Sequence, residues 1–255
     1  MMKFIPNDCS KYDYKKITGN VVSHPQNLIS IGHSAFVSPW SDPSIHQHNL
    51  SEEYYFLLNG QLDLVMEGFC ITLQPNEILM VKPNVPHAVF GGTGKIEYFG
   101  IRTPALDDKQ VVSELKTDAP LIHESDRLVS GEWGHRIPLD LPQHKNCWLF
   151  GAGSALYTSQ HFVMAYLDFP THETANEGIG TRHQLHFHQN SWEYYAILVG
   201  EITLLIDAVQ VSIRPGEILA VPPKVKHTLF SRQAPYKGFT IRVPVELNDK
   251  IVVEP

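Results

Sequence analysis

The sequence predicts an all-β fold made of two tandem modules in one chain. Three observations predict it: one stretch recurs 140 residues later, short strand-like runs fill both copies, and helical patterns are scarce. With 255 residues, 43% hydrophobic and 18% charged, the chain is long enough for two folded units and has the composition of a globular protein. We therefore expect two β-rich domains of similar construction.

The repeat needs no gap over its central part. The segment HFHQNSWEYYAILVG (186–200) aligns with HQHNLSEEYYFLLNG (46–60). From residue 48 to residue 90, 17 of 43 positions match their counterparts, where average composition gives about two or three by chance. The same alignment continues between PNEILMVKPNVPHAVF (75–90) and PGEILAVPPKVKHTLF (215–230). Each segment ends with a phenylalanine, three residues after a histidine. The chain is therefore a duplicated module.

Each copy consists of runs of four to seven β-branched, aromatic and aliphatic residues, separated by Gly, Pro, Asn or Asp. Short strands at this spacing predict a sandwich or a barrel. The predicted domains cover residues 1–118 and 119–255. A short helix after an Asp N-cap is expected over residues 106–117.

Each copy also holds a candidate metal site. Strand side chains alternate between faces, so His46 and His48 share a face, and Glu53 follows on the next strand after a tight turn. His87 begins a third strand. Three imidazoles and a carboxylate suit a divalent first-row metal and leave positions of a six-coordinate ion open to substrate, water or dioxygen. The repeat places the same residue types at His186, His188, Glu193 and His227.

The order of these residues resembles the paired motifs of the cupin superfamily: H-x-H, a glutamate, a glycine, then P-G-E and a later P-x-x-x-H. Both copies are complete, so the whole chain resembles a bicupin. The resemblance implies two tandem RmlC-like jelly-roll β-barrels, each with one divalent transition metal (Fe, Mn, Ni, Co, Cu or Zn) held by three His and one Glu. Closure or double-sheet packing would also protect the edges of so many short strands.

Two positions need a choice against this motif. Glu52 and Glu53 both fit the spacing, and we assign Glu53 because six residues separate it from Gly60 and its counterpart is Glu193, whereas Glu52 aligns with Trp192. Turn residues also depart from the motif. Asn76 and Asn84 tolerate a positive φ, whereas Lys224 is less suited to one.

Further polar residues recur beside the predicted sites. Tyr55 and Tyr195 are predicted to face inward and are the candidate catalytic residues, with a core tyrosine as the alternative role. Arg102 and Arg242 could bind a substrate carboxylate, but an outward-facing or structurally paired arginine is expected because the neighbouring Ile residues take the apolar face. The insert THETANEGIGTRHQL, with His172, Glu173 and His183, is predicted to be a surface loop, with a lid as the alternative.

Composition excludes several classes of function. The formal net charge of -7 and the absence of a Lys/Arg cluster argue against a nucleic-acid partner. No apolar run suits a signal peptide or a membrane span, so we expect a cytoplasmic protein. Three scattered cysteines predict neither disulfides nor a thiolate metal site. The expected partner is a small-molecule substrate, and a homodimer through sheet edges is plausible.

The predicted function is that of a metal-dependent enzyme acting on a small oxygen-rich molecule, such as a hydroxy or keto acid, a diketone or a phenol. Oxygen-dependent cleavage or oxidation ranks first, because a redox metal with two open positions suits substrate plus dioxygen. A metal-assisted isomerase, lyase or decarboxylase is the close alternative. A non-catalytic sensor or storage cupin is the third, although two complete ligand sets argue against a purely structural role.

Overall fold

A computed structural model describes residues 2–4, 15–16, 28–37, 44–66, 69–112, 126, 129–153, 155–169, 173–174, 184–215 and 217–253. Its regular structure is almost entirely β, which confirms the predicted class. In these ranges the one helical element is a 3-10 turn at Pro142–His144, and no helix is long and apolar enough to cross a membrane. The chain divides into an N-terminal unit, Asn7–Leu141, and a C-terminal unit, Met1–Pro6 with Pro142–Pro255.

The N-terminal unit has one antiparallel sheet, with ten strands among its described residues. Along its main path the strand order is β10-β11-β7-β5-β8-β3-β2, while β4 pairs with β8 and β9, and β6 pairs with β5. The strands are β2 (Lys15–Lys16), β3 (Ser30–Val37), β4 (His46–His48), β5 (Glu52–Met66), β6 (Phe69–Leu73), β7 (Glu77–Val81), β8 (His87–Thr103), β9 (Lys109–Val111), β10 (Val129–Gly131) and β11 (Gly134–Pro138).

The C-terminal unit repeats this arrangement. Its main path runs β1-β19-β17-β20-β14-β12-β13, and β16 pairs with β20 and β21 as β4 does with β8 and β9. The strands are β1 (Met2–Phe4), β12 (Cys147–Gly151), β13 (Tyr157–Thr158), β14 (Val163–Phe169), β15 (Glu173–Thr174), β16 (His186–His188), β17 (Trp192–Ile206), β18 (Val209–Ile213), β19 (Ile218–Val221), β20 (His227–Val243) and β21 (Lys250–Val252).

Each sheet gains a strand from outside its repeated motifs. Strand β11 pairs with β7 in the N-terminal unit, and β1 pairs with β19 in the C-terminal unit. No sequence pattern predicted either pairing. The predicted boundary between residues 118 and 119 falls among residues that the structure does not describe, whereas the compact units divide after Leu141.

The long strands β5 and β8 pair along their whole length and curl, which gives the sheet its half-barrel form. Gly60 lies at a register shift of β5 with φ of 76°, and a Cβ there would come within 2.5 Å of the Lys95 carbonyl oxygen. Gly200 has φ of 80° at the same place in β17. The glycine of the repeated motif is therefore required by backbone conformation and by close chain approach.

The inner face of each curled sheet carries the core. In the N-terminal unit the core includes Leu62, Leu64 and Ile71, and in the C-terminal unit Ile202 and Leu204 take the matching places. The opposite face of β5 is also buried at its start, because Tyr54 and Phe56 are 0% and 1% exposed. Burial on both faces explains the continuous apolar run in this strand.

Two expectations about turns and helices can be compared with the structure. Asn76, Asn84 and Lys224 all adopt a positive φ, of 65°, 63° and 66°, so the motif's turns persist, including the one at the less suitable lysine. The helix expected over residues 106–117 is wrong where the structure describes it. Lys109–Val111 forms strand β9 instead, because it pairs with the H-x-H strand β4, a long-range contact that local propensity does not register.

Candidate metal centres

The predicted ligands of the N-terminal unit converge inside its sheet. His46 and His48 lie on β4, Glu53 is the second residue of β5, and His87 begins β8, where it pairs with His46. The Oε2 atom of Glu53 lies 3.6 Å from Nε2 of His46, 3.3 Å from Nε2 of His48 and 2.8 Å from Nε2 of His87. The three histidines therefore surround Glu53, and ligand atoms of His46, Glu53 and His87 all lie within 4.8 Å of one another.

The C-terminal unit reproduces this geometry. The Oε2 atom of Glu193 lies 3.6 Å from Nε2 of His186, 3.3 Å from Nε2 of His188 and 2.6 Å from Nε2 of His227. His186 and His227 pair across β16 and β20, as their counterparts do. Ligand atoms of these four residues all lie within 4.8 Å of one another. Glu52, in contrast, accepts a hydrogen bond from the Tyr54 hydroxyl at 2.8 Å, on the opposite face of β5 from Glu53.

The outer nitrogens of five of the six histidines have a hydrogen-bond partner, whereas Nδ1 of His188 has none in hydrogen-bond geometry among the described residues. Nδ1 of His87 contacts the Val85 carbonyl oxygen at 2.8 Å, and Nδ1 of His48 contacts a carboxylate oxygen of Asp108 at 3.0 Å. A carbonyl oxygen only accepts, so Nδ1 carries a proton, and Nε2 of the neutral ring would be left to bind a metal. In the metal-free protein, Nε2 of His87 and of His227 donates to the glutamate, and a metal would replace that proton. The remaining Nδ1 contacts to carbonyl oxygens follow the same rule: His46 to Ser44, His186 to Gln184 and His227 to Val225.

A cation fits this arrangement. Imidazole lone pairs and a carboxylate that point at one another repel unless a proton or a metal lies between them. Nε2 of His188 is buried and has no partner in hydrogen-bond geometry among the described residues, although Glu193 lies 3.3 Å away. Three neutral imidazoles and a carboxylate form a donor set for a divalent transition metal. The groups in both units could therefore hold a metal ion.

Ionisation of the carboxylates agrees with a cation site. Burial alone would raise the pKa of Glu53 and Glu193, but the three surrounding histidines outweigh it and hold both well below the ordinary value. Burial lowers the pKa of His186. Burial also opposes protonation of His227, yet the hydrogen bond and charge of Glu193 raise its pKa above the usual value. Each site thus keeps one permanent negative charge.

Comparison with known proteins now places the fold. The family model described as a cupin domain matches residues 176–235, which include the C-terminal ligand set. Solved structures with two such domains match nearly the whole chain. The chain has the fold of a two-domain cupin. No curated protein sequence matches this chain at a significant level.

The structural neighbours are distant in sequence. A point mutant of oxalate decarboxylase from Bacillus subtilis has 11% identity and a TM-score of 0.62, and covers 99% of this chain and 79% of its own. A structure of the same enzyme that describes its Mn(II) centres has 12% identity and a TM-score of 0.59, with the same coverage. A vicilin from Solanum melongena has 10% identity and a TM-score of 0.56, over 94% and 82% of the two chains. At such identity these likenesses show the fold alone.

The predicted catalytic tyrosines of the bicupin lie beside the ligand sets. The ring of Tyr55 stands edge-on to His87 with 6.2 Å between centroids, and Tyr195 stands in the same way to His227 at 6.3 Å. Burial, together with the carboxylate of Glu193, holds the pKa of Tyr195 well above its usual range. Its hydroxyl is therefore protonated at neutral pH.

The repeated arginines do not face outward as expected. Arg242 lies directly opposite Glu193 in the antiparallel pairing of β17 and β20, so both side chains are on the inner face. Arg102 lies opposite Glu53 in the same way. The outward-facing alternative is wrong because both faces of these strands are buried: Ile241 fills the other face and is 1% exposed. A structurally paired arginine, the other alternative, stays a prediction.

Two acidic residues of the site were missed. Asp108 contacts His48 at 3.0 Å, and Asp249 contacts His188 at 3.2 Å. Burial opposes ionisation of Asp108. Hydrogen bonds from the Leu50 backbone, from Ser51 and from His48 outweigh this effect and lower the pKa of Asp108 to about 2. The signal that could have found them is a D-K-x-V repeat after IR-x-P, at an offset of 141 residues rather than 140.

The predicted insert is described only in part. Glu173–Thr174 forms a short strand that pairs with β20. His172 and His183 lie outside the described residues, so the choice between a surface loop and a lid stays a prediction.

Proposed function

We propose that the chain is a metal-dependent enzyme that acts on a small organic acid. The observation that carries the proposal is the position of Arg242 opposite the ligand carboxylate Glu193. The Nε atom of Arg242 is buried and has no hydrogen-bond partner among the described residues. A guanidinium on the inner face of a metal site, with a free donor, suits a carboxylate group of a bound substrate.

The metal ligands in this proposal are the eight residues of the two converging groups. One divalent ion, from Fe, Mn, Ni, Co, Cu or Zn, would bind in each barrel. When bound, it supplies Lewis acidity and, for most of these elements, redox chemistry. The ligand residues are, in the N-terminal unit, His46, His48, Glu53 and His87, and in the C-terminal unit, His186, His188, Glu193 and His227.

The residues around Arg242 support a site for an anion. Its guanidinium carbon lies 5.0 Å from the ring centroid of Trp148, which orients the group without neutralising it. The positive charge of Arg242 also offsets part of the rise in the pKa of Tyr195 that burial, Glu193 and Tyr236 cause, so the charge acts inside the barrel. A carboxylate held by Arg242 would thus lie near both Tyr195 and the ligand set.

Oxygen-dependent oxidation or cleavage of the acid is the first reaction we propose, because a redox-active metal with two open positions serves it. A lyase or decarboxylase reaction is the second, and Tyr195 favours it. Breaking a carbon–carbon bond leaves a carbanion that needs a proton, and a tyrosine that stays protonated can donate one. Tyr55 has the corresponding place beside His87 in the N-terminal barrel. The fold neighbours include a decarboxylase, which agrees with this second reaction.

The test is turnover of a substrate panel by protein reconstituted with Mn(II) or Fe(II). The panel contains hydroxy acids, keto acids, dicarboxylates, neutral diketones and phenols, and both oxygen uptake and carbon dioxide release are recorded. We expect turnover of an acid. Oxygen uptake supports the first reaction, carbon dioxide release without oxygen uptake supports the second, and binding of an acid without turnover supports a sensor.

The role of Arg242 is tested with Arg242→Gln. We expect KM for the acid to rise at least tenfold, because the charged guanidinium and its free Nε donor are lost. Arg214→Gln is the matched control, since Arg214 is an exposed arginine that pairs with Glu201. An unchanged KM in Arg242→Gln would contradict the assignment.

A further inference from the structure

We propose that Asp108 and Asp249 are positioning residues that orient the second histidine of each H-x-H pair toward the metal. The proposal rests on the metal sites of the proposed function. Asp108 uses both carboxylate oxygens: Oδ1 contacts Nδ1 of His48 at 3.0 Å, and Oδ2 accepts the backbone N–H groups of Leu50 at 2.8 Å and Ser51 at 2.9 Å. One carboxylate thus holds a ligand and the loop that leads to the glutamate.

Asp249 binds the corresponding backbone N–H groups in the C-terminal unit and lies within ion-pair distance of His188, whose Nδ1 has no partner in hydrogen-bond geometry among the described residues. Its Oδ1 accepts the backbone N–H of Asn190 at 2.8 Å, and its Oδ2 accepts that of Ser191 at 3.2 Å. Nδ1 of His188 lies 3.2 Å from Oδ2. The segment between IR-x-P and the aspartate is one residue longer than in the first copy. The exposed residues 246–248 accommodate the extra residue, and Asp249 stays at the position that corresponds to Asp108.

The second histidine differs from the other two ligands in each site. His46 and His87 place Nδ1 against backbone carbonyls, whereas His48 has an ionised partner. A carboxylate on the outer nitrogen fixes the tautomer, restrains the ring and makes the inner nitrogen a stronger donor. Loss of such a partner typically weakens metal binding about 10- to 100-fold.

The segment that carries each aspartate also supports the H-x-H strand. Strand β4 pairs with β8 only at His46 and His87, but pairs with β9 at three positions. In the C-terminal unit β16 and β21 repeat this pairing, and the Val253 N–H continues it to the Leu185 carbonyl oxygen at 2.8 Å. The H-x-H strand is thus held largely by the segment that follows IR-x-P, which places the aspartate next to the ligand.

The test is titration of metal-free protein with Mn(II) alone, followed by calorimetry and by the EPR spectrum of the bound ion. Asp249→Asn is made in a His87→Ala background, which retains only the C-terminal site. An amide nitrogen cannot accept, so at least one N–H group would face another donor. We expect Mn(II) affinity to fall about 10- to 100-fold, with an altered EPR spectrum.

Two control variants separate orientation of the ligand from support of the loop. Asp207→Asn changes an exposed acid of the same unit and should leave the affinity unchanged. Ser191→Ala removes the hydroxyl bonds to the Pro244 carbonyl oxygen and to Asp249 but keeps the contact between His188 and Asp249, so affinity should stay within about twofold.

The outcomes distinguish the proposals. Wild-type affinity in Asp249→Asn overturns the positioning role and leaves the metal site standing. Equal losses in Ser191→Ala and Asp249→Asn also overturn it, because loop support would then explain the effect. Failure of the His87→Ala parent to bind Mn(II) overturns the metal site and the positioning role together.

Discussion

The Oε2 atom of Glu53 lies 2.8 Å from Nε2 of His87, although the two residues belong to opposite ends of one long strand pair. Glu53 stands near the start of β5, whereas His87 pairs with Met66, the last residue of the same strand. The curl of the sheet at Gly60 brings these ends together. Glu193 and His227 meet at 2.6 Å in the same way.

Metal content tests whether the two groups are independent sites. We expect one divalent metal per barrel, so that either His87→Ala or His227→Ala removes one ion per chain and the double variant removes both. Elemental analysis of purified protein measures this directly. His161→Ala, a histidine outside both groups, is the control and should retain full content. Equal metal content in all four proteins would contradict the assignment.

The two adjacent glutamates of β5 should have different roles. Glu53→Gln removes the ligand carboxylate, so the N-terminal barrel should lose its metal. Glu52→Gln should keep the metal and lower the free energy of unfolding by about 1–2 kcal/mol, because it weakens the charged hydrogen bond with Tyr54. Metal analysis and chemical denaturation of the two variants separate these effects. Loss of metal in Glu52→Gln alone would reverse the choice between them.

Metal binding in the C-terminal barrel should depend on pH through His227. Burial opposes protonation, but Glu193 raises the pKa of His227 above its usual value, and the metal must displace that proton. In a His87→Ala background we expect Mn(II) affinity to fall about tenfold per pH unit below the raised pKa. Calorimetry between pH 5.5 and 8.5 measures it, and a constant affinity would contradict it.

In the metal-free protein, a lower pH has the opposite effect, because protonation of His227 stabilises the folded state. The folded pKa of His227 lies above its unfolded value of about 6.5. The pair with Glu193 therefore contributes stability that is complete below that unfolded value and is lost as the pH rises through the folded one. His227→Ala should remove this part of the pH dependence.

A buried ion pair should dominate the stability of the pairing between β7 and β11. Glu77 and Arg136 are 0% and 1% exposed and meet at 2.9 Å between β7 and β11. Arg136→Met leaves the buried carboxylate of Glu77 without its arginine, so we expect the free energy of unfolding to fall by about 3–5 kcal/mol. Chemical denaturation measures this loss.

The double variant Glu77→Gln/Arg136→Met should recover much of that loss, because it leaves no uncompensated charge. Arg214→Met is the control, since its ion pair with Glu201 is exposed and should contribute little. A loss in Arg136→Met no larger than in the control would contradict the prediction.

Sequence alone determined the duplication, the all-β class and the identity of the convergent residues. The reason is local, because side chains alternate along a strand and His46 and His48 must therefore share a face. The gap-free repeat places His186 and His188 at the same spacing in the second copy. The copy also selected Glu53 over its neighbour, and the structure places Glu53 in the converging group.

Only the tertiary structure decided what surrounds that group. Strand β9 forms because it pairs with β4, across a long separation in sequence, and this places Asp108 against His48. Arg242 faces inward because its strand is buried on both faces, which a single strand's pattern does not reveal. The pattern of a short strand predicts which of its side chains share a face. The pairing and curl of the whole sheet determine which residues of other strands those side chains contact.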